Sequence, residues 1–515
     1  MSTRTSSVSR DCVISLLRHA LGDEAVLVDD ASRQYYANDI FWQPGVLPEA
    51  IVLPSTPQQA ADPIRIACGA DRPVVPRGGG MSYLKGYLPA TCGAIVVDAT
   101  RLARVVEVNV HDRYITVEAG CTWADVNAAL DGTGWRTAFW GTLSGRKSTI
   151  GGALAQNGAF YGSAAHGAAG ENVIGLRVVL PDGRLVTTGS AGRPNTKPFT
   201  RDGGPDMTGL FVGDNGTLGF KVAATLRLAP RRQHVGCLSF GFSSLASMAR
   251  AQIEMSPLEE ISEVFGIDRA KVELSASFGD PESRRSQRGA AAGGAPDGHD
   301  LRAHPFTLHL NLEGRSEPAL DAALQAVRDV ARHYGEEIVN TVPIALRKHP
   351  FGSLRGILGR HGERWIPVHG IFPMSAVIEA CHASEAFFDR QADFMREHGI
   401  RHTIMTMTVG SEFFLEPSFY WIDEITPLHA GTLGAGVVKP WIGRRANERT
   451  REAVVMLRRK AQELYAGLGA VSWQAARDYP FREIMNPEAY GLLCSLKRAV
   501  DPKGLMNPGI LGFAQ

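Results

Sequence analysis

The chain has 515 residues, more than one hydrophobic core usually serves, so two domains are expected, interleaved or in tandem. Hydrophobic residues make up 44% and charged residues 21% of it, an ordinary globular composition that excludes a disordered or fibrous chain. Lys and Arg total 54 against 53 Asp and Glu, and a formal charge of +1 without a basic block argues against nucleic acid as the ligand.

The N-terminus, MSTRTSSVSRD, lacks the apolar stretch of a secretory signal, and no apolar run reaches the roughly 18 residues that cross a bilayer. The expectation is a soluble, cytoplasmic protein. Residues 11–21 have helical spacing and stop at Gly22. IVLPS (51–55) reads as a strand, Thr56-Pro57 opens a helix running to about Ala70, and PVVPR (73–77) returns as a strand into Gly78-Gly79-Gly80. AIVVDAT, VVEVNV and YITVEAG are short β-rich runs, followed by the helix TWADVNAALDGTG. LRVVLPDGRLVTTG signals a hairpin around Asp182-Gly183, and KVAATLRLAP is a strand closed by Pro230. Residues 1–230 therefore read as α+β with a sheet of short strands.

From 231 the texture changes to longer helices (320–334, 376–398, 447–468) and strands such as FTLHLNLEG and RWIPVHGIFP, a second α+β domain. Residues 279–302 are polar and aperiodic and read as a surface loop. The seven cysteines, an odd number with no CxxC pair, read as reduced thiols.

The 56 glycines are concentrated, with clusters at 78–80, between 145 and 170, and at Gly213, Gly216 and Gly219. Glycine is required where backbone must touch a ligand, so the clusters suggest an extended ligand cradled by main chain. PVVPRGGGMSYLKG puts three glycines directly after a strand, where consecutive N–H groups form an anion nest for a pyrophosphate. A flexible turn would also use glycines. In TIGGALAQNG (149–158), Gly151 and Gly152 open a helix whose free N–H groups could serve the same ligand, although close packing also favours small residues. GTLSGRKST has the wrong spacing for a phosphate-binding P-loop, and no GxGxxG occurs, which argues against a Rossmann site. His398 and His402 are interrupted by Gly399, so no metal site is expected, and no GxSxG elbow is present.

PVVPRGGGMSYLKG, TIGGALAQNG, ENVIGLRVVLPDGRLVTTG, LFVGDNGTLGFKVAATLRL and DPKGLMNPG together resemble the vanillyl-alcohol oxidase/p-cresol methylhydroxylase (PCMH) family of FAD-dependent oxidoreductases, which includes glycolate and D-lactate dehydrogenases. The resemblance covers nearly the whole chain in the family's order. It implies a two-domain PCMH-type fold: an FAD-binding domain over 1–230, an α+β substrate-binding cap over 231–479 lying over the flavin, and a return to the FAD domain over 480–515. It assigns FAD binding to Pro76, Arg77, Gly78, Gly79, Gly80, Met81, Ser82 and Tyr83, to Thr149, Gly151, Gly152 and Gly158, and to Asn172, Val173 and Ile174 beside the flavin ring. It further implies hydride transfer from a substrate carbon to flavin N5 and reoxidation by oxygen, a quinone or a cytochrome. A homodimer is the assembly it suggests.

Family members with a histidyl flavin carry His after the three glycines, where Met81 stands here. Others attach through the cap, where TVGSEFFLEPSFYW (408–421) has no His but does have Tyr420. Dissociable FAD is therefore expected. The hydroxy-acid branch's metal constellation is missing, with Glu416 near one ligand position and Gln474 where a Glu would be. The phenol branch's Tyr-Arg clamp aligns with Trp473-Gln474 and is missing too. What remains as candidate catalytic residues is His369, Glu416, Tyr420 and Arg477, with His166 a further candidate. A His suits proton abstraction from a carbinol hydroxyl, and alternation along RWIPVHG would put His369 opposite Val368. Equally, it could be a hydrogen-bonded core histidine. Glu416 in an apolar strand needs a partner if buried, which a structural salt bridge would also supply. Arg477 could neutralise a substrate anion or lie at the surface. The leading substrate class is a small alcohol or hydroxy acid. The alternative is a para-substituted phenol oxidised at its benzylic carbon; a redox-neutral flavoenzyme or an FAD-binding module stays open behind both.

Overall fold

The computed structural model describes residues 8–42, 46–277, 301–352, 354, 358–359 and 361–513. The loop expected over 279–302 lies outside the described residues apart from its last two. Three sheets organise the chain. The first has four strands in the order Val26–Leu27, Ala50–Val52, Ile95–Asp98, Val74–Arg77; the last three run parallel, and the helix Ala61–Gly69 makes the crossover between Ala50–Val52 and Val74–Arg77. Residues 56–60 form turns, so this helix starts later than Thr56-Pro57 suggested: Thr56 Oγ1 accepts from Gln59 N and caps only a turn.

The second sheet has six strands and is antiparallel: Val105–Asn109, Tyr114–Glu118, Phe220–Pro230, Val173–Val179 and Leu185–Thr187, with Trp135–Thr137 on the far end of Phe220–Pro230. The hairpin expected at Asp182-Gly183 is present, with Gly183 at φ 86°. The expected helix at 11–21 spans Arg10–Leu21, capped by Ser9 and closed by Gly22 at φ 88°.

The third, eight-stranded sheet runs Glu336–Ile338, His234–Phe242, Phe306–Gly314, Ile261–Asp268, Arg401–Val409, Glu412–Ile422, Glu363–Pro367, with Gly370–Pro373 also on Glu412–Ile422. Helices Leu245–Met255, Glu317–Ala331, Val377–Glu397 and Glu448–Gly467 contribute to a core with Leu308, Leu310, Phe413 and Leu415 from this sheet. RWIPVHGIFP is therefore two strands rather than one. Pro367 has no N–H for the ladder, and His369 sits in the break, its N–H donating to the Tyr479 hydroxyl at 2.7 Å. Alternation along a continuous strand does not apply to it.

The C-terminal segment packs against the first two sheets. Val74 bridges Met506 in parallel, Asn507 Nδ2 donates to Gly86 O (2.8 Å) and Asn215 O (2.6 Å), and Lys497 Nζ donates to Thr217 O (2.7 Å). Among the described residues no helix is long and apolar enough to cross a membrane.

Candidate functional site

A cavity of about 490 Å³ runs from the end of strand Val74–Arg77 to one face of the eight-stranded sheet. Its first half is main chain. Pro76 to Tyr83 all line it, together with Thr149, Gly151, Gly152 and Gly158. The helix Ile150–Gln156 starts here with Thr149 accepting the Gly152 N–H (3.3 Å), but its first amides are not free for a ligand as the sequence suggested: Ile150 N–H donates to Cys121 O and Gly151 N–H to Ala119 O, at 2.8 Å each. The glycines are there for lack of space: a Cβ on Gly78 would fall 2.3 Å from Thr149 Oγ1, and one on Gly79 would fall 1.7 Å from the Lys147 carbonyl oxygen.

Backbone N–H groups of Gly78, Gly79, Gly80 and Met81 find no protein acceptor among the described residues. Arg77 is 3% exposed with Nε and Nη1 unpartnered, its guanidinium lying over the rings of Tyr35, Tyr36 and Tyr87 at 4.9, 4.3 and 5.0 Å. Buried donors of this number cost free energy unless a ligand accepts from them, and an extended polyanion such as a pyrophosphate satisfies them. The residues fit an FAD pyrophosphate.

The other half is built by side chains of the sheet. Met405 and Met407 from one strand and Phe414 and Glu416 from its neighbour share one face and line the cavity, whereas Ile404, Phe413 and Leu415 face the helices. Tyr420 falls on the Glu416 face by the same alternation. Tyr83, Trp365, His369, Trp473 and Gln474 close the end. His369, 3% exposed, lies between two oxygens: its Nε2 is 2.9 Å from the Tyr83 hydroxyl and 3.3 Å from Glu416 Oε2. His369 Nδ1 is buried without a partner. Tyr83 packs edge-on to Trp365 (5.1 Å) and to His369 (5.8 Å). Burial, reinforced by the Glu416 charge, raises the Tyr83 hydroxyl well above the usual phenol range, so it stays protonated.

Lys271, from the helix Arg269–Ser277, enters the same wall and donates to the Tyr420 hydroxyl at 2.5 Å. Burial works against its charge, but Tyr420, Glu416 and Asp268 outweigh that and hold it above the usual lysine value. Behind the wall, Arg458 pairs with Asp478 at 2.6 Å and donates to Pro367 O.

The structure thus brings the predicted residues from Pro76 to Tyr83, Thr149, Gly151, Gly152 and Gly158 into one cavity with His369 and Glu416. Tyr420 does not itself line it; its hydroxyl accepts from Lys271, which does. Asn172, Val173 and Ile174 do not line it: Asn172 donates to His166 O and Ala168 O, and the other two begin a buried strand. Arg477 is also elsewhere, donating to Leu88 O (3.0 Å) and Pro508 O (3.2 Å), so its guanidinium ties the C-terminal segment down instead of facing a substrate. His166 lies off the cavity, pushed down to about 4 by burial. The sequence reading missed Lys271 and Trp365. A lysine among Arg269, Lys271 and Glu273 on a short helix has the pattern of a solvated face, and no spacing signal marked it.

Residues 48–189 match the FAD binding domain family. The chain is 29% identical over 271 residues to the mitochondrial D-lactate dehydrogenase [cytochrome] 1 of Saccharomyces cerevisiae, covering 50% of this chain and 45% of that protein. It is 32% identical to a probable mitochondrial D-lactate dehydrogenase of Danio rerio (44% of each) and 30% identical to the glycolate oxidase subunit GlcD of Bacillus subtilis (39% of this chain, 41% of that one). The chain spans less than half the length of these curated relatives. Among solved structures, substrate-bound p-cresol methylhydroxylase superposes with a TM-score of 0.76 over 98% of this chain and 97% of that one, at 16% identity. An alkyldihydroxyacetonephosphate synthase superposes at 0.66 over 96% and 85%, at 15% identity. The fold is the PCMH-type α+β fold the sequence suggested.

Proposed function

Because the chain belongs to the FAD-binding oxidoreductase family and carries its FAD binding domain, we propose that it is an FAD-dependent oxidoreductase oxidising the carbinol carbon of a small alcohol or hydroxy acid. One observation carries this reading: the glycine cradle and the Tyr83–His369–Glu416 group share a single cavity. Held by the cradle of Pro76 to Tyr83, FAD would supply the hydride acceptor, with oxygen, a quinone or a cytochrome as the final electron acceptor.

The protein's part is to bind, orient and deprotonate. The Glu416 carboxylate, 3.3 Å from Nε2, favours the tautomer with the proton on that nitrogen, which leaves Nδ1 as the basic nitrogen for a carbinol proton. With its oxygen toward Nε2–H, Tyr83 keeps its own proton to donate to a substrate oxygen. Met405, Met407, Phe414 and Trp473 exclude water from this end. We assign the cradle and the first two sheets, with the C-terminal segment packed on them, to an FAD domain over 1–230 and 480–515, and the third sheet to a cap over 231–479. With Met81 after the glycines, FAD is held without a covalent bond, and a homodimer is the assembly this family suggests.

The aromatic wall of Tyr83, Trp365, Phe414 and Trp473 favours a second reading, a para-substituted phenol oxidised at its benzylic carbon, the chemistry named for p-cresol methylhydroxylase. Likeness to the synthase keeps a redox-neutral role as a third. Anaerobic mixing with candidate alcohols, hydroxy acids and alkylphenols separates them: bleaching of the flavin with stoichiometric oxidised product supports the proposal, bleaching by alkylphenols alone supports the second, and binding without bleaching by any of them removes both.

A further inference from the structure

The segment between the strand Glu412–Ile422 and the helix Glu448–Gly467 lines no part of the cavity, and its charges are one-sided. From Ile425 to Asn447 there is no Asp or Glu, while the cations Lys439, Arg444 and Arg445 fall within seven residues. The two carboxylates just before the segment, Asp423 and Glu424, are both held by Arg451 at 3.0 Å, and Glu448, which follows it, starts the next helix. Lys439, Arg444 and Arg445 form no ion pair among the described residues. In a chain whose formal charge is only +1, this is a concentrated positive surface.

The same segment turns apolar groups outward. Gly434 (φ 88°) and Gly443 (φ 87°) bend the chain at either end of the short helix Ala435–Val438 and the turn Lys439–Trp441. The knuckle is tied down at three points. Val438 is buried, Thr432 Oγ1 accepts from Lys147 Nζ at 2.8 Å, and Asn447 donates to Asp423 Oδ1 (2.8 Å) and Ile422 O (3.1 Å). What it leaves outside is Ile442, 57% exposed, with Ile422 also exposed beside the Asn447 anchor. Trp441 precedes Ile442, its ring packed against His361 at 4.6 Å and under the Arg444 guanidinium at 5.0 Å. An isoleucine and an indole thus sit between a lysine on one side and two arginines on the other.

Such a surface makes two demands, anions for the cations and an apolar medium for Ile442. An anionic bilayer meets both at one depth: its headgroups offer phosphate oxygens just above the acyl boundary, the level at which indoles and long basic side chains settle. An acidic protein answers the charge and not the isoleucine. We infer that residues 434–447 dock the protein on an anionic lipid bilayer, with Ile442 and the Trp441 ring at the headgroup–acyl boundary and Lys439, Arg444 and Arg445 on lipid phosphates. Each basic residue near such a surface is worth about 5-fold in affinity, about 10²-fold for the three, so the contact is peripheral and reversible. This docking is independent of the oxidoreductase reading and is measured without turnover.

Vesicle flotation of the full chain, loaded with FAD, tests it. The protein should float with vesicles containing about one-third phosphatidylglycerol and not with phosphatidylcholine alone, and salt at about 0.5 M should release it. Arg444→Gln combined with Arg445→Gln should weaken the binding about 25-fold, and Ile442→Ser about 5-fold, with the flavin spectrum unchanged in both. The charge-matched control is Arg18→Gln with Arg65→Gln, exposed arginines on the helices Arg10–Leu21 and Ala61–Gly69, and it should shift the affinity by less than about 2-fold. An equal loss in that control, equal binding to neutral vesicles, or no flotation by a folded protein overturns the docking. Unchanged binding by Ile442→Ser refutes the placement of that side chain in the bilayer. Retention on immobilised poly-glutamate without flotation, lost in the double arginine variant, would assign the surface to an acidic protein and overturn the bilayer as its partner.

Discussion

Gly79→Ala is the sharpest perturbation of the cofactor end. The added Cβ would lie 1.7 Å from the Lys147 carbonyl oxygen and 2.8 Å from its carbonyl carbon. Both partners are backbone, so no rotamer change relieves the clash, and the loop must move by roughly 1.5 Å to reach a tight non-bonded contact. A shift of that size takes the amides of 78–81 out of hydrogen-bond range of a fixed phosphate. Losing two such bonds to a charged acceptor, at about 1.5–3 kcal/mol each, weakens FAD by about 10²- to 10⁴-fold. Gly69→Ala is the control, because its Cβ meets nothing within 4 Å. FAD affinity of both variants, measured by flavin fluorescence on apoprotein with native circular dichroism, checks this. A folded Gly79→Ala protein with unchanged FAD affinity would refute the assignment of this loop to the cofactor.

His369→Gln keeps a hydrogen bond to Tyr83 or Glu416 but removes the base, so anaerobic flavin bleaching should slow by about 10²-fold with FAD still bound; an unchanged rate removes His369 from the mechanism. Acid precipitation should release yellow colour to the supernatant, and colour kept in the pellet would mean a covalent link, with Tyr420 the first suspect. His309 is fully buried between the Ser239 and Thr307 hydroxyls, and burial pushes it from 6.5 down to about 3. Its folded value being depressed, its neutral form contributes stability that is whole above pH 6.5 and is lost as the pH falls from there toward 3, at about 1.4 kcal/mol per pH unit. The stability difference between the native protein and His309→Gln should therefore shrink by about 2 kcal/mol between pH 6.5 and 5 in urea unfolding; a constant difference would show that the imidazole is already charged in the folded state.

The cofactor half was legible because its demands fall on the backbone. Only glycine fits at 78 and 79, and the amides of 78–81 find no protein acceptor among the described residues, so residue type and spacing carry the message; the helix after Thr149 does not add to it, because its first amides donate to Cys121 O, Ala119 O and Thr149 Oγ1. Asn172, Val173 and Ile174 misled for the opposite reason: a buried strand start serves packing as readily as ligand contact, and here Asn172 is consumed by two carbonyls. Arg477 misled because an arginine near a binding segment is equally good at collecting carbonyl oxygens, which is what it does.

The substrate half was only partly legible, and the reason lies in the strand Glu412–Ile422. Its residues are buried on both faces, save the ends, so hydropathy shows no alternation and cannot tell roof from core. Yet the faces differ in what they meet: helices on one, a cavity on the other. A lone carboxylate is the mark that survives, because a charge can be kept only where a histidine, a lysine or a ligand compensates it. Glu416 satisfies that condition through His369, 3.3 Å away. Once it is placed, the period of two assigns Phe414 and Tyr420 to the same face and Phe413 and Leu415 to the core. Lys271 could not be reached that way. It arrives from a different element, the helix after Ile261–Asp268, and meets Tyr420 only because Ile261–Asp268 pairs with Arg401–Val409, which in turn pairs with Glu412–Ile422. Strand order, not residue pattern, brings the ammonium to the Tyr420 hydroxyl and into the cavity wall.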